Sequence, residues 1–283
     1  MCITRILEMT VDFDILKRNE LKAAVELAGR AFEDYEYFTN YFPDLEERRK
    51  VLRSVVYREF LTNFKKTHYL VAKAASKREQ SDACIDSAER EQARPEVKKN
   101  GELVAVVQLN APDYKKPSDF QYLIHGWPLV YLGVNRQRLD DWLAMDAAAG
   151  RPCHEYQATG TGIWYLSSIT VDPSAQGIGI GTQFIAYMED FIRKHGGREL
   201  VLFTNSDKNI AFYKRCGFKT FDEREFTYNG RTMRSWSVKK ILLTTKIESY
   251  NVTKDNETIM DDSRHPDAMR RNRDDLLLQG RRR

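Results

Sequence analysis

The densest chemistry in this 283-residue chain lies in Gln176-Gly177-Ile178-Gly179-Ile180-Gly181-Thr182. The segment follows a β-type run, Ile163 to Val171, and the turn Asp172-Pro173. It opens an amphipathic helical pattern that reaches His195. Three alternating glycines do two things there. They permit positive φ, and they leave no Cβ between the backbone and an approaching ligand. Successive N–H groups at a helix start sit on the positive end of its dipole, so the segment reads as an anion site, with phosphate the usual guest. Two phosphate-binding patterns fail on named residues. A P-loop needs Lys-Ser/Thr after its last glycine, and Thr182-Gln183 follows Gly181. A dinucleotide fingerprint needs a third glycine or alanine, which counted from Gly177 falls on Thr182. It also needs an acid at the end of the next strand, which closes instead on Thr204-Asn205.

One strand later comes Asn209-Ile210-Ala211-Phe212-Tyr213-Lys214-Arg215-Cys216-Gly217-Phe218. In that order, Gln176-x-x-Gly179-x-Gly181 and Asn209 to Phe218 resemble the acyl-CoA signature and the second motif of the GNAT N-acetyltransferase superfamily. The clear resemblance covers about residues 163–239, and Ala31-Phe32 with Phe42-Pro43-Asp44 is compatible with antibiotic-type members. It implies an α/β (α+β) fold: a mixed central sheet of about seven strands flanked by helices, with a splayed parallel pair at 163–171 and 199–204.

The resemblance also implies roles. Acetyl-CoA is the expected co-substrate, with no metal. The pantetheine arm would pair with backbone groups of Ile169, Thr170 and Val171. Gln176 and the N–H groups of Gly177, Ile178, Gly179, Ile180, Gly181 and Thr182 would hold the pyrophosphate, and Asn205 and Asn209 would form the far wall. The Val171 N–H is the expected oxyanion donor and Tyr213 the acid that protonates the leaving thiolate. No base is supplied. Many relatives place a Glu on the first wedge strand or a His before its Trp-Tyr-Leu, but here the strand reads Ile163-Trp164-Tyr165-Leu166-Ser167-Ser168-Ile169. A water relay stays open, as do His125, Asp141, His154 and Glu155. His195 is expected to complement a helix C-terminus, and Cys216 to fill core.

Those groups need a frame. Alternation and helical spacing predict a strand over 3–13, helices over 16–32 and 45–64, and strands over 69–75 and 101–109. Residues 76–100 are charged and read as a solvated insertion. Residues 113–159 form an aromatic-rich, mainly helical insertion. Gly196-Gly197 ends the helix that the glycine loop opens. A strand over 199–204, a short helix over 208–215 and a hairpin, 218–228 with 231–242 around Asn229-Gly230, complete the frame. Residues 1–242 are read as a single acetyltransferase domain and 243–283 as a polar, disordered tail.

Composition limits the partners. Hydrophobic residues make up 42% and charged residues 30%, and Lys+Arg at 45 against Asp+Glu at 41 leaves a net charge of +4. So small an excess argues against a nucleic-acid binder. No apolar run approaches ~18 residues and the N-terminus lacks a secretory signal, so neither a membrane span nor export is expected. Cys2, Cys84, Cys153 and Cys216 form no CxxC pair and are expected as reduced thiols in a cytoplasmic monomer or homodimer. The resulting reading is an acetyl-CoA-dependent N-acetyltransferase acting directly on a small-molecule or metabolite amine. Trp127, Tyr131, Trp142 and Trp164 would wall its acceptor pocket. Two alternatives stand beside it: a protein or peptide N-acetyltransferase, and a non-catalytic acyl-CoA-binding regulatory protein. The missing carboxylate favours the second, and Tyr213 opposes it.

Overall fold

Seven strands form one sheet in the computed structural model, which describes residues 9–75 and 101–242. The expectations for residues 3–8, for the insertion at 76–100 and for the tail lie outside the described residues. The strands are β1 (Val11–Ile15), β2 (His68–Ala74), β3 (Leu103–Asn110), β4 (Ile163–Val171), β5 (Glu199–Thr204), β6 (Lys219–Tyr228) and β7 (Arg231–Ile241). Their order is β1-β2-β3-β4-β5-β7-β6, and every neighbouring pair is antiparallel except β4 with β5. The mixed seven-strand sheet with its one parallel pair is therefore as the sequence implied.

The helices are α1 (Leu21–Phe32), α2 (Glu36–Thr39), α3 (Leu45–Asn63), α4 (Asp119–Ile124), α5 (Arg136–Gln157), α6 (Ile180–Lys194) and α7 (Asp207–Arg215). Helix α3 starts where Asp44 accepts the Glu47 N–H at 2.8 Å, satisfying one of the free donors of its first turn. Its Val56 and Phe60 pack with Ala24, Val25 and Ala28 of α1 on Tyr69, Val71 and Val106 of the sheet. Phe184, Ile185, Met188 and Ile192 of α6 form a second cluster with the residues that alternate with these, including Leu70, Ala105 and Val107. Each buried Val, Leu, Ile, Phe or Met side chain among these contributes ~1.5–3 kcal/mol by leaving water. Every residue of β3 is buried, as befits a central strand covered on both faces. A Cβ on Gly197 would come within 2.3 Å of Ile192 and 2.5 Å of Trp164, so glycine is what lets the chain turn under α6 into β5.

The decisive feature is where β4 and β5 part. They pair only at Ile163↔Glu199, Trp164↔Leu200 and Tyr165↔Val201. Beyond Tyr165, β4 stays on β3, with a register shift that leaves Ser167 as an extra residue, while β5 stays on β7. A wedge opens between them.

Candidate active site

Main-chain groups line one half of the wedge. The Asp172 N–H donates to the Val104 carbonyl on β3 at 2.8 Å. Successive peptides of a strand point to opposite sides, so Val171 and Ile169 turn theirs into the wedge and Thr170 turns toward β3. Two contacts agree: Gln176 Nε2 donates to the Val171 carbonyl at 3.1 Å, and Thr170 Oγ1 donates to the Val106 carbonyl at 3.3 Å. Buried Asp172 fixes the turn that follows. It accepts from Arg30 of α1 at 2.7 Å and from Ser174 N–H and Oγ at 3.0 and 2.6 Å.

The chain then passes through Gly177 at φ 80° and Gly179 at φ 89°, the latter being the N-cap of α6. A Cβ on Gly177 would meet nothing within 4 Å, so the left-handed backbone, not crowding, requires glycine there. Gly181 differs: it has no positive φ, and a Cβ there would meet the Phe212 ring of α7 at 3.4 Å, at the near edge of ordinary contact. Ile180 is fully buried and Ile178 packs on the same core, leaving mainly backbone toward the cleft. The first intrahelical acceptor bond is Gln183 N–H to Gly179 carbonyl, so the N–H groups of Ile180, Gly181 and Thr182 have no partner within the helix.

Polar groups at the end of β5 close the far wall. The Asn205 N–H donates to the Tyr35 hydroxyl at 3.1 Å, and that hydroxyl lies 3.4 Å from Thr204 Oγ1. The Asn209 side chain also bonds it, and burial pushes the Tyr35 pKa upward. Asn205 is 2% exposed, and its Oδ1 is buried with no partner. Tyr213 lines the same wall between Phe212 and Phe218, and burial drives its pKa well above the usual phenol value.

Side chains make the other half. The cleft, about 2090 Å³ in all, continues from the glycine loop to an aromatic end walled by Tyr37, Tyr122, Trp127, Tyr131, Trp142 and Tyr165. Among the carboxylates that line it are Glu59 and Asp146. Glu59 of α3 accepts from Asn63 Nδ2 at 2.7 Å and from Gln108 Nε2 at 3.3 Å. Burial and then the nearby Asp146 charge push its pKa up to about 7, against the downward pull of Gln108 and Lys116. Asp146 of α5 accepts a short hydrogen bond from the Tyr37 hydroxyl. Burial raises its pKa too.

A model of the Acetyltransferase (GNAT) family matches residues 56–218, more than half of the chain. The chain belongs to the GNAT acetyltransferase family. No curated protein sequence matches it. Solved structures with a similar chain path include three N-acetyltransferases. The ribosomal-protein-S18-alanine N-acetyltransferase from Escherichia coli is 13% identical, with 85% of this chain and 99% of that one covered and a TM-score of 0.44. An N-acetyltransferase from Staphylococcus aureus Mu50 is 13% identical over 83% and 99%, with a TM-score of 0.45. PaiA N-acetyltransferase from Thermoplasma acidophilum, in complex with coenzyme A, is 12% identical over 82% and 99%, with a TM-score of 0.45.

This GNAT acetyltransferase brings Ile169, Thr170, Val171, Gln176, Gly177, Gly179, Gly181, Thr182, Asn205, Asn209 and Tyr213 to one cleft. The features fit an acyl-CoA: an open cradle at Gly177, free helix-start donors, and the orphaned Asn205 Oδ1. Of the four open base candidates, only His154 lines the cleft. Its ring lies 4.5 Å from Tyr165, and burial lowers its pKa. His125 caps α4, Asp141 bonds Gln137, and Glu155 is exposed. His195 caps α6, with Nδ1 2.7 Å from the Phe191 carbonyl. Trp164 is a correction: it is 2% exposed in the α6 core, against Phe191, and does not line this cleft. Sequence reasoning missed Tyr35, Glu59 and Asp146. A signal existed for two of them. Glu59 stands four residues after Val55 and Asp146 four after Trp142, so each is a carboxylate on the buried stripe of its helix.

Proposed function

We propose that the enzyme transfers an acetyl group from acetyl-CoA directly to the amine of a small molecule. The observation that carries this reading is the aromatic end of the cleft, which joins the β4–β5 wedge and holds two partly desolvated carboxylates. An amine enters water as a cation. Carboxylates and aromatic faces both attract cations, and more strongly where water is scarce.

On this reading Ile169 pairs with the pantetheine arm, and Gln176 and the 177–182 backbone take the pyrophosphate. The Val171 N–H stabilises the carbonyl oxygen as negative charge gathers on it. Such a donor, when removable, is worth roughly 100- to 1,000-fold in kcat. Tyr213 holds its proton at all working pH values, because burial disfavours the phenolate. The proton is thus present for the departing sulfur, but burial also makes the phenol a weaker acid, so the transfer relies on a thiolate that forms in the same desolvated wall and is itself more basic there.

The test is to incubate the protein with labelled acetyl-CoA and a metabolite mixture, and separately with N-terminal peptides. New acetylated masses among small amines are expected. Label confined to peptides would move the enzyme to the protein-modifying class. Acetyl-CoA binding without any transfer would move it to the regulatory one.

A further inference from the structure

The wedge strand carries no carboxylate, yet a carboxylate from another element bonds the strand beside it. Glu59 Oε1 accepts from Gln108 on β3, and Gln108 stands directly opposite Ser168 in the β3–β4 register. Directly opposed residues of an antiparallel pair point to one face, and neighbouring strands lie ~4.8 Å apart. Glu59 thus stands on β3 beside the splayed part of β4, one strand from the residues that border the wedge. Gln108, Ser168, Val171, Tyr213 and Glu59 line one continuous cleft. Asn63 Nδ2 and Gln108 Nε2 both donate to Oε1 of Glu59.

We propose that Glu59 is the general base that takes the acceptor's proton, directly or through one water. This rests on the acetyl-transfer reading above. The ammonium gives one proton to Glu59, which later releases it to solvent. The freed nitrogen pair forms the N–C bond to the acetyl carbon, while the C–S bond breaks with its electron pair on sulfur. The second proton leaves nitrogen as the amide forms. It is balanced by the proton that Tyr213 gives to sulfur and then regains. The products are an amide, a thiol and one proton in solution.

The surroundings suit the task. The charged groups acting on Glu59 are Asp146 from α5, which raises its proton affinity, and Lys116, which lowers it. The titratable neighbours Tyr69, Tyr114, Tyr122 and Tyr165 all feel the Glu59 charge and all have raised pKa values, so they stay neutral. A carboxyl at about 7 is half ionised near neutral pH yet basic enough to hold the proton it takes.

The experiment uses the full chain with tyramine, tryptamine and spermidine as acceptors, from about pH 6 to about pH 9, alongside calorimetric titration with acetyl-CoA. The parent should gain rate through a limb near 7. Glu59→Gln should bind acetyl-CoA as the parent does, lose roughly 100- to 10,000-fold in kcat with little change in KM, and lose that limb. Glu59→Asp, which keeps an acid but shortens it, should retain the limb at reduced kcat, and it guards against a Gln variant that folds poorly. Parental kcat and limb in Glu59→Gln would overturn the proposal. So would a raised KM at unchanged kcat, which is the mark of a simple ammonium anchor, or loss of the limb in His154→Gln instead. If the parent binds acetyl-CoA but acetylates no amine, the acetyl-transfer reading itself fails, and the base falls with it.

Discussion

The two halves of the cleft are built from different materials. The half proposed for the coenzyme is one short stretch, from Ile169 to Thr182, that presents main-chain groups to the cleft and packs its Ile178 and Ile180 side chains on the core. The half proposed for the acceptor includes side chains from α2, α3, β3 and α5: Tyr37, Glu59, Gln108, Trp142, Asp146. A backbone site tolerates most side-chain changes and fails where a substituent or a forced φ intrudes. A side-chain site loses function one residue at a time, and its buried polar groups depend on each other, because an unpartnered one costs ~1–3 kcal/mol.

Tyr213 sits where the halves meet and should give the largest effect. Tyr213→Phe keeps the ring, so acetyl-CoA should still bind while kcat falls roughly 100- to 10,000-fold. Steady-state rates beside a binding titration check this, and an unchanged kcat would return Tyr213 to the core. Next comes Trp142→Ala. Trp142 is 5% exposed and touches Tyr37, Phe38 and Phe42, so truncation should cost ~3–5 kcal/mol of stability, read as a lowered melting temperature. A stable variant that has lost only acceptor turnover would show that this wall is a pocket lining and not a core.

The coenzyme half should break differently. Gly181→Asp brings bulk toward Phe212 and negative charge to the helix start. Acetyl-CoA affinity should fall about tenfold or more, ~1.4 kcal/mol at least, with the fold largely kept. Gly177→Ala adds no clash with the protein within 4 Å, so a loss of affinity there combines the cost of φ 80° with the methyl's intrusion on the coenzyme. Equal affinity in both variants and parent would remove the loop from the coenzyme site.

The smallest effect is on stability. Glu59 has its folded pKa raised from 4.5 to about 7, mainly by burial. A raised carboxyl contributes stability that is fully present below its unfolded pKa and is lost as pH rises through the folded one. Between about pH 4.5 and about pH 7 the parent's melting temperature should therefore fall relative to that of Glu59→Gln. The comparison with the variant is needed because Asp146 titrates in the same direction, while His68 and His154, whose pKa values burial lowers, add stability as pH rises. Parallel profiles for parent and variant would show that Glu59 is not desolvated.

How much was legible follows the same division. Helices α1 and α6 were readable because each buries one regular face, α1 through Leu21, Ala24, Val25 and Ala28, α6 through Phe184, Ile185, Met188 and Ile192; the stretch over 35–42 reads from its aromatics as a connection and holds the one-turn helix α2, too short to show a period. The Asn229-Gly230 hairpin was readable from turn chemistry, and both residues do take positive φ. Trp164 was misplaced because composition says that an aromatic is buried, not on which face of the sheet. Strand parity decided it, together with the close approach of Gly197.

The sequence by itself determined the glycine loop, the Asn209–Phe218 segment and the order of elements that surrounds them. These are local: a helix start, a turn or a strand needs only residues within a few positions of one another. Only the tertiary structure decided that β4 and β5 part after Tyr165, that Tyr35 would hold the end of β5, and that Glu59 would stand across β3 from Ser168. Glu59 and Ser168 are far apart along the chain. What joins them is the register of an antiparallel strand pair and the packing of a helix on it, and both are set by burial of the whole sheet, not by any residue pattern near either one.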